Sequence, residues 1–201
     1  MKPELSVTTV IAFMGVDGSG KSTLIKGIKK KLKKKYQSIK YIHLRPYLFL
    51  TDKSTINKNP HNQKKIKSQF ESFLKILFWL FMYKIFFFIK FKKKNQLIIF
   101  DRYAHDLLVD KKRYRFNLTK KLTKYILSFF PTPNLWIILT APINKIEKRK
   151  KELSTSELKR QVKSYINFAK SKKNSLIVNT GKNIQSCISL IISKINFNIS
   201  R

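Results

Sequence analysis

The stretch Gly15-Val16-Asp17-Gly18-Ser19-Gly20-Lys21-Ser22 carries the clearest chemistry in this chain. It fits the pattern G-x-x-x-x-G-K-[ST], a loop whose glycines let backbone N–H groups turn inward around phosphate oxygens. An apolar, β-rich run from Val10 to Met14 precedes it, and Leu24, Ile28 and Leu32 follow at helical spacing. A helix N-terminus at this point adds partial positive charge. Lys21 then reaches the β- and γ-phosphates of a nucleoside triphosphate, and the Ser22 hydroxyl takes a Mg²⁺ position. The competing reading is a glycine-rich turn with a chance Lys-Ser; the strand before it and the helix after it favour the phosphate site. ATP and Mg²⁺ are the expected ligands, held by Gly15, Asp17, Gly18, Ser19, Gly20, Lys21, Ser22 and Thr23.

Positioning such a loop requires strands and helices in alternation, and the chain supplies them. Strands are expected at Val7–Met14, Ile39–Leu44, Leu97–Phe100, Leu135–Leu139 and Leu176–Val178. Between them the pattern predicts helices over Lys21–Tyr36, Ile66–Phe91, Leu118–Phe130, Asn144–Lys151 and Thr155–Lys172, with a last one over Asn183–Ile195. Arg45 to Lys65 is polar and irregular. The strand runs are short and continuously apolar, as when helices cover both faces of a parallel sheet. The expected fold is α/β: a three-layer, doubly wound, parallel five-stranded sheet of the P-loop NTPase type, with ligands beyond the carboxyl ends of the strands. No linker or repeat divides residues 1–201, so one domain is expected, with a mobile segment at about 148–160.

Composition narrows the partners. Lys and Arg number 44 against 10 acids, for a formal charge of +34. Blocks such as Lys29–Lys31, Lys33–Lys35, Lys92–Lys94 and Lys111–Arg113 repel one another unless something anionic is near. A polyanion or an anionic membrane surface is one reading, a solvated basic surface the other. Cys187 lies among Ile184, Ile188 and Ile191 as a small buried hydrophobe, which removes any internal disulfide. The three histidines show no metal-ligand spacing with it, so no zinc site is expected. Pro3 and Glu4 interrupt any leader pattern, so the expected location is cytoplasmic, peripheral at the inner membrane face if an apolar helix is interfacial. That helix is Phe73–Phe91, where Lys75, Lys84 and Lys90 leave no apolar run of about 18 residues. It reads as a buried or substrate-lining helix, with a membrane-surface helix and, last, a true span as the alternatives.

The run Leu97-Ile98-Ile99-Phe100-Asp101 is an apolar strand ending in a carboxylate, the place where phosphate-loop proteins hold Mg²⁺ through water. It continues as Asp101-Arg102-Tyr103. GVDGSGKST together with this DRY triplet resembles the thymidylate kinase family. The longer runs DRYAHDLLVDKKRYR and RKKELSTSELKRQ resemble a bacterial thymidylate-kinase-like subgroup associated with surface-polysaccharide genes.

The resemblance implies roles. Asp17 faces the acceptor's sugar, Arg45 and Arg102 contact the acceptor phosphate, Tyr103 belongs to the acceptor site, and Asp101 lies by the metal with Ser22. Arg149 leads into a lid and lies near ATP, while Asn179-Thr180-Gly181 lies against the adenine. Lys21, Asp101, Arg102 and Arg149 form the expected catalytic set. A homodimer is among the implied assemblies.

Chemistry supports this independently. Bringing two phosphorylated anions together requires cancelling charge, which arginines do bidentately, and phosphoryl transfer needs positioning more than acid–base work. Ser154-Thr155-Ser156-Glu157 has the form of a capping box opening a helix, suiting a segment that closes over ATP. Asp106 and Asp110 read equally as caps or substrate contacts; His105 is a candidate acid or acceptor contact, against the commoner structural role of a lone histidine.

The departures concern the acceptor. No Glu stands between Arg45 and Pro46, Thr140 stands where an aspartate is common, and the aromatic helix offers no thymine-reading Arg or Gln. Three functions follow: transfer of a γ-phosphoryl group to a nucleoside monophosphate; transfer to a sugar, glycan or lipid head group at a membrane; or a basic nucleic-acid- or membrane-binding module with a vestigial loop.

Overall fold

A computed structural model describes residues 8–44, 66–90, 95–150 and 152–199. Arg45, the polar stretch after it and Lys92–Lys94 lie outside these residues. Five strands, β1 (Thr9–Met14), β2 (Ser38–His43), β3 (Gln96–Asp101), β4 (Leu135–Thr140) and β5 (Ser175–Asn179), form one sheet. Its order is β2-β3-β1-β4-β5 and every pairing is parallel. Among the described residues six helices accompany the strands: α1 (Lys21–Leu32), α2 (Gln69–Lys90), α3 (Lys120–Leu127), α4 (Ile143–Arg149), α5 (Thr155–Lys170) and α6 (Ile184–Ile199). A short 3₁₀ helix, Ala104–Leu108, follows β3.

The alternation of side chains along β1 explains the three layers. Val10, Ala12 and Met14 point into a core built with α2, α3 and α5. Ile11 and Phe13 point the other way, into a second core with α1 and α6. β1 and β3 are buried along their whole length because both faces are covered. The edge strands β2 and β5 are only partly buried. The doubly wound parallel sheet expected from the sequence is therefore present, with its central strand feeding the glycine loop.

The boundaries that moved did so for local reasons. α1 stops at Leu32, where the N–H groups of Lys35 and Tyr36 turn back onto the Leu32 carbonyl and free Tyr36 to enter the core. α3 starts at Lys120, capped by Thr119 Oγ1, which accepts from the Leu122 N–H. The expected capping box at α5 is half formed. Ser154 Oγ accepts from Glu157 N, but the Glu157 carboxylate is drawn instead to Arg160 (2.6 Å) and Gln161 (3.0 Å). Arg160 also donates to the Val109 carbonyl at 2.7 Å, fastening α5 to the end of the 3₁₀ helix.

α2 is long and apolar enough to cross a membrane by length and composition. Its Ile76, Trp79, Tyr83, Phe86 and Phe87 are nonetheless buried against the sheet, with Tyr83 stacked on Phe100. The other side of the same helix carries exposed Phe70, Leu74, Phe78 and Phe81. The helix is thus half core and half surface.

The facing of α6 is testable by comparing neighbours. Ile191 is fully buried and Leu190 about half exposed. Ile191→Ala is expected to cost about 2–5 kcal/mol in urea unfolding, and Leu190→Ala about 0.5 kcal/mol.

Candidate active site

The loop after β1 is shaped by its glycines at two points. Gly15 lies at φ 146°, and a Cβ there would sit 2.7 Å from the Leu139 carbonyl oxygen. Gly20, at φ 86°, caps α1 in the left-handed region. Together they fold the backbone tightly enough that Lys21, the first residue of α1, turns back across the loop. Its Nζ donates to the carbonyls of Gly15 (2.8 Å) and Val16 (2.9 Å). The ammonium is buried, and that burial, with Arg102 nearby, lowers its pKa to about 8 against the opposing pull of Asp17, Asp101 and Asp106. An ammonium held this way gains from a phosphate arriving beside it.

Asp17 is the focus of the surrounding charge. Arg102 Nη2 donates to its Oδ1, Arg113 Nη1 to its Oδ2 at 2.6 Å, and Lys150 Nζ lies 3.5 Å from Oδ2. Lys21 Nζ is 4.0 Å from Oδ1. Burial alone would push this carboxyl up, but Arg102, Lys21 and Arg113 hold it well below the usual carboxylate range. Four cations thus converge on one carboxylate beside the phosphate loop, a surplus of positive charge suited to phosphates.

Arg102 is itself held from behind. Its Nη1 donates to Asp106 Oδ2 at 2.5 Å. Asp106, fully buried, also accepts from Tyr114 (2.9 Å) and Tyr165 (3.0 Å). Arg102 is 2% exposed, and its backbone lies at φ 74°. That conformation costs a non-glycine residue roughly 1–3 kcal/mol. It is stabilised by the Arg102 N–H, which donates to the Phe13 carbonyl at 2.8 Å. The turn aims Arg102 at the loop and sends the next side chain the opposite way. Tyr103 therefore enters the core among Tyr83, Phe100 and Trp136, its hydroxyl donating to the Pro131 carbonyl at 2.6 Å. This corrects the expectation that Tyr103 meets the acceptor.

The other expected residues divide as follows. Asp101 ends β3 paired in register with Phe13 and His43. Its Oδ2 accepts from Tyr41 at 2.9 Å, and its buried Oδ1 has no hydrogen-bond partner. Ser22 and Thr23 are exposed at the mouth of α1, and Ser19 Oγ is buried without a partner. An orphaned carboxylate oxygen at a strand end and an accessible serine hydroxyl fit Mg²⁺, which takes few protein ligands and completes its shell with water and phosphate oxygens. No cluster of three His, Cys, Asp or Glu that could cage a metal occurs among the described residues.

Arg149 ends α4 and donates to the Gly18 carbonyl at 3.3 Å. With Gly20, Thr23, Thr180 and Lys182 it lines a cavity of about 230 Å³ next to the loop. Thr180 Oγ1 is shared between the carbonyls of Ser19 (2.9 Å) and Thr140 (3.1 Å), joining the loop after β5 to the phosphate loop. Arg45 lies outside the described residues.

Arg113, Lys150 and Tyr41 reach the site without having been singled out. Arg113 and Lys150 stand inside basic runs, and in a chain this rich in lysine their own signal is lost. Tyr41 is visible only through the β2–β3 register.

The thymidylate kinase family model matches residues 13–191. Among solved structures, a thymidylate kinase from Candida albicans is 20% identical, covers 96% of this chain and 94% of that one, and superposes with a TM-score of 0.64. A thymidylate kinase from Ehrlichia chaffeensis is 18% identical, covering 94% of this chain and 98% of that one, with a TM-score of 0.62. A deoxyadenosine kinase from M. mycoides, solved with bound dATP, is 20% identical over 94% and 99%, with a TM-score of 0.58. These likenesses establish the fold. No curated protein matches the chain by sequence.

The lowered pKa of Lys21 has a consequence for stability. Between pH 8 and the ordinary lysine value of 10.5, the unfolded chain binds more protons than the folded one at this residue. The burden of burying the charge is therefore complete below pH 8 and lifts as pH rises. Lys21→Met is expected to be more stable than the parent at pH 7. That advantage should shrink by about 1 kcal/mol per pH unit between pH 8.5 and 10, measured by urea unfolding of both proteins. A gap that does not change with pH would rule out a displaced Lys21 titration.

Proposed function

The chain belongs to the thymidylate kinase family, and from that premise we propose that it transfers the γ-phosphoryl group of ATP to the phosphate of a nucleoside monophosphate. It is a P-loop kinase by family; the acceptor class is the proposal. The observation that carries it is the convergence of Lys21, Arg102, Arg113 and Lys150 on Asp17.

Transfer joins two anions, and most of its barrier is charge and positioning. Lys21 follows the charge that builds on the β–γ bridging region as the bond from the γ-phosphorus to its leaving oxygen breaks. Arg102, fixed by Asp106, holds the acceptor phosphate so that one of its oxygens approaches that phosphorus in line. Arg113 and Lys150 add positive charge on the same side, and Arg149 lies over the nucleotide cavity. Asp17, released from part of its cationic shell, is placed to accept from a hydroxyl of the acceptor's sugar. A Mg²⁺ ion held near Ser22 and Asp101 would neutralise phosphate charge, and Tyr41 keeps the Asp101 carboxylate oriented. The segment 148–160, with Lys150 joined to both Asp17 and Glu152 (3.0 Å), is the proposed lid.

Incubation with ATP, Mg²⁺ and each common nucleoside monophosphate, thymidylate included, is expected to release ADP in an acceptor-dependent way. Lys21→Ala should lower kcat/KM at least about 100-fold. ATP binding without transfer to any nucleotide would refute the proposed acceptor class and direct the search to sugar, glycan or lipid head-group acceptors.

The exposed side of α2 supports a second element of the reading, a homodimer. Phe70, Leu74, Phe78 and Phe81 recur at intervals of four and three along one face, the spacing of a helix–helix seam. In sedimentation the parent should run as a dimer and Phe81→Glu as a monomer. A monomeric parent that pellets with anionic liposomes would assign this face to a membrane surface instead.

A further inference from the structure

A cavity among the described residues lies away from the phosphate loop. It measures about 390 Å³ and opens between α3 and α5, with His105 of the 3₁₀ helix among its lining residues. That volume falls at the lower end of small-molecule sites.

Three features of its walls select a ligand. Lys120 and Lys124 stand one turn apart on α3, Lys172 follows α5, and no carboxylate lines the cavity. Lysine is frequent throughout this chain, so these cations alone would mean little. His105, however, is 5% exposed, and its Nδ1 has no hydrogen-bond partner. Burial, helped by Lys172, lowers its pKa to about 3, so the imidazole is neutral at physiological pH and keeps both a donor and an acceptor. Lastly, the hydroxyls of Ser128, Ser164 and Ser171 already donate to the carbonyls of Tyr125, Arg160 and Phe168 (2.6, 2.9 and 2.7 Å). Their oxygens are left as acceptors, which suit a ligand with hydroxyl groups to donate. Phe168 and Leu127 supply apolar wall for its body.

We propose that this cavity is a second ligand site, for a phosphate monoester on a small polyhydroxylated body such as a sugar phosphate or the sugar end of a nucleotide. The lysines meet the phosphate, and the serine oxygens and His105 meet the hydroxyls. The site adjoins the machinery around Arg102: His105 precedes Asp106, and Ser164 precedes Tyr165, both of which lie in the Arg102 network. The binding claim does not depend on the kinase reading.

The test is calorimetric titration with ribose 5-phosphate, using inorganic phosphate as the anion-only control. One equivalent is expected to bind, more tightly than inorganic phosphate. Lys120→Glu/Lys124→Glu, both on the exposed side of α3, should weaken it about 10- to 100-fold without shifting the unfolding midpoint, whereas Lys21→Ala should leave it unchanged. Adenosine 5′-monophosphate, titrated into Lys21→Ala protein, distinguishes a nucleotide from a sugar phosphate; either preference supports the site if the α3 double variant weakens it. Binding lost in Lys21→Ala but kept in the α3 variant would place the ligand at the phosphate loop and overturn the proposal. So would an absence of binding, or an affinity equal to that of inorganic phosphate.

Discussion

The buried ion pair between Arg102 and Asp106 is the contact around which the rest of the site is arranged. Both groups are taken out of water, and removing one partner of such a pair typically costs about 3–5 kcal/mol because the other is stranded. The pair persists because both oxygens of Asp106 are hydrogen-bonded: it accepts from Arg102, Tyr114 and Tyr165 together. Those donors come from the end of β3, from the turn before α3 and from α5, so one carboxylate joins three parts of the chain. What projects forward from this knot is a single guanidinium edge, pointed at Asp17 and the phosphate loop. The left-handed backbone of Arg102 is tolerated because the fold on both sides of it is already fixed.

Charge distribution at the site follows the same economy. The chain has few acids, and Asp17, Asp101 and Asp106 all serve the region of the phosphate loop. Each restrains cations or orients a neighbour, and none is paired on both oxygens with a single partner. Asp101 keeps one oxygen free of hydrogen bonds while Tyr41 holds the other. The result is a cationic focus kept in place by carboxylates it outnumbers, a preorganised environment for transferring charge between phosphates.

Much of this was legible in the residues. The phosphate loop is a short-range pattern, and its strand and helix were read from neighbouring residues alone. The five strands were legible because burial on both faces writes continuous apolar runs. Legibility failed where geometry depends on distant contacts. The positive φ of Arg102 inverts the expected facing of Tyr103, and no local pattern announces it. Tyr165 lies 59 residues from Asp106, and Arg113 and Lys150 are hidden by the abundance of lysine around them. At Ser154 the sequence predicted a reciprocal cap, but Arg160 competes more strongly for Glu157 than a backbone N–H does.

The Thr180 hydroxyl, bridging the backbones of the phosphate loop and β4, makes one jaw of the site a single stiff body. The wall against which a nucleotide base would rest cannot swing independently of the cradle for its phosphates, because one hydroxyl proton serves both. The facing helix, α4, is joined to the same body by Lys145, whose Nζ donates to the Gly181 carbonyl at 3.0 Å, and by Arg149 on the Gly18 carbonyl. A single threonine hydroxyl thus ties the end of β4, the loop after β5 and the phosphate loop into one unit.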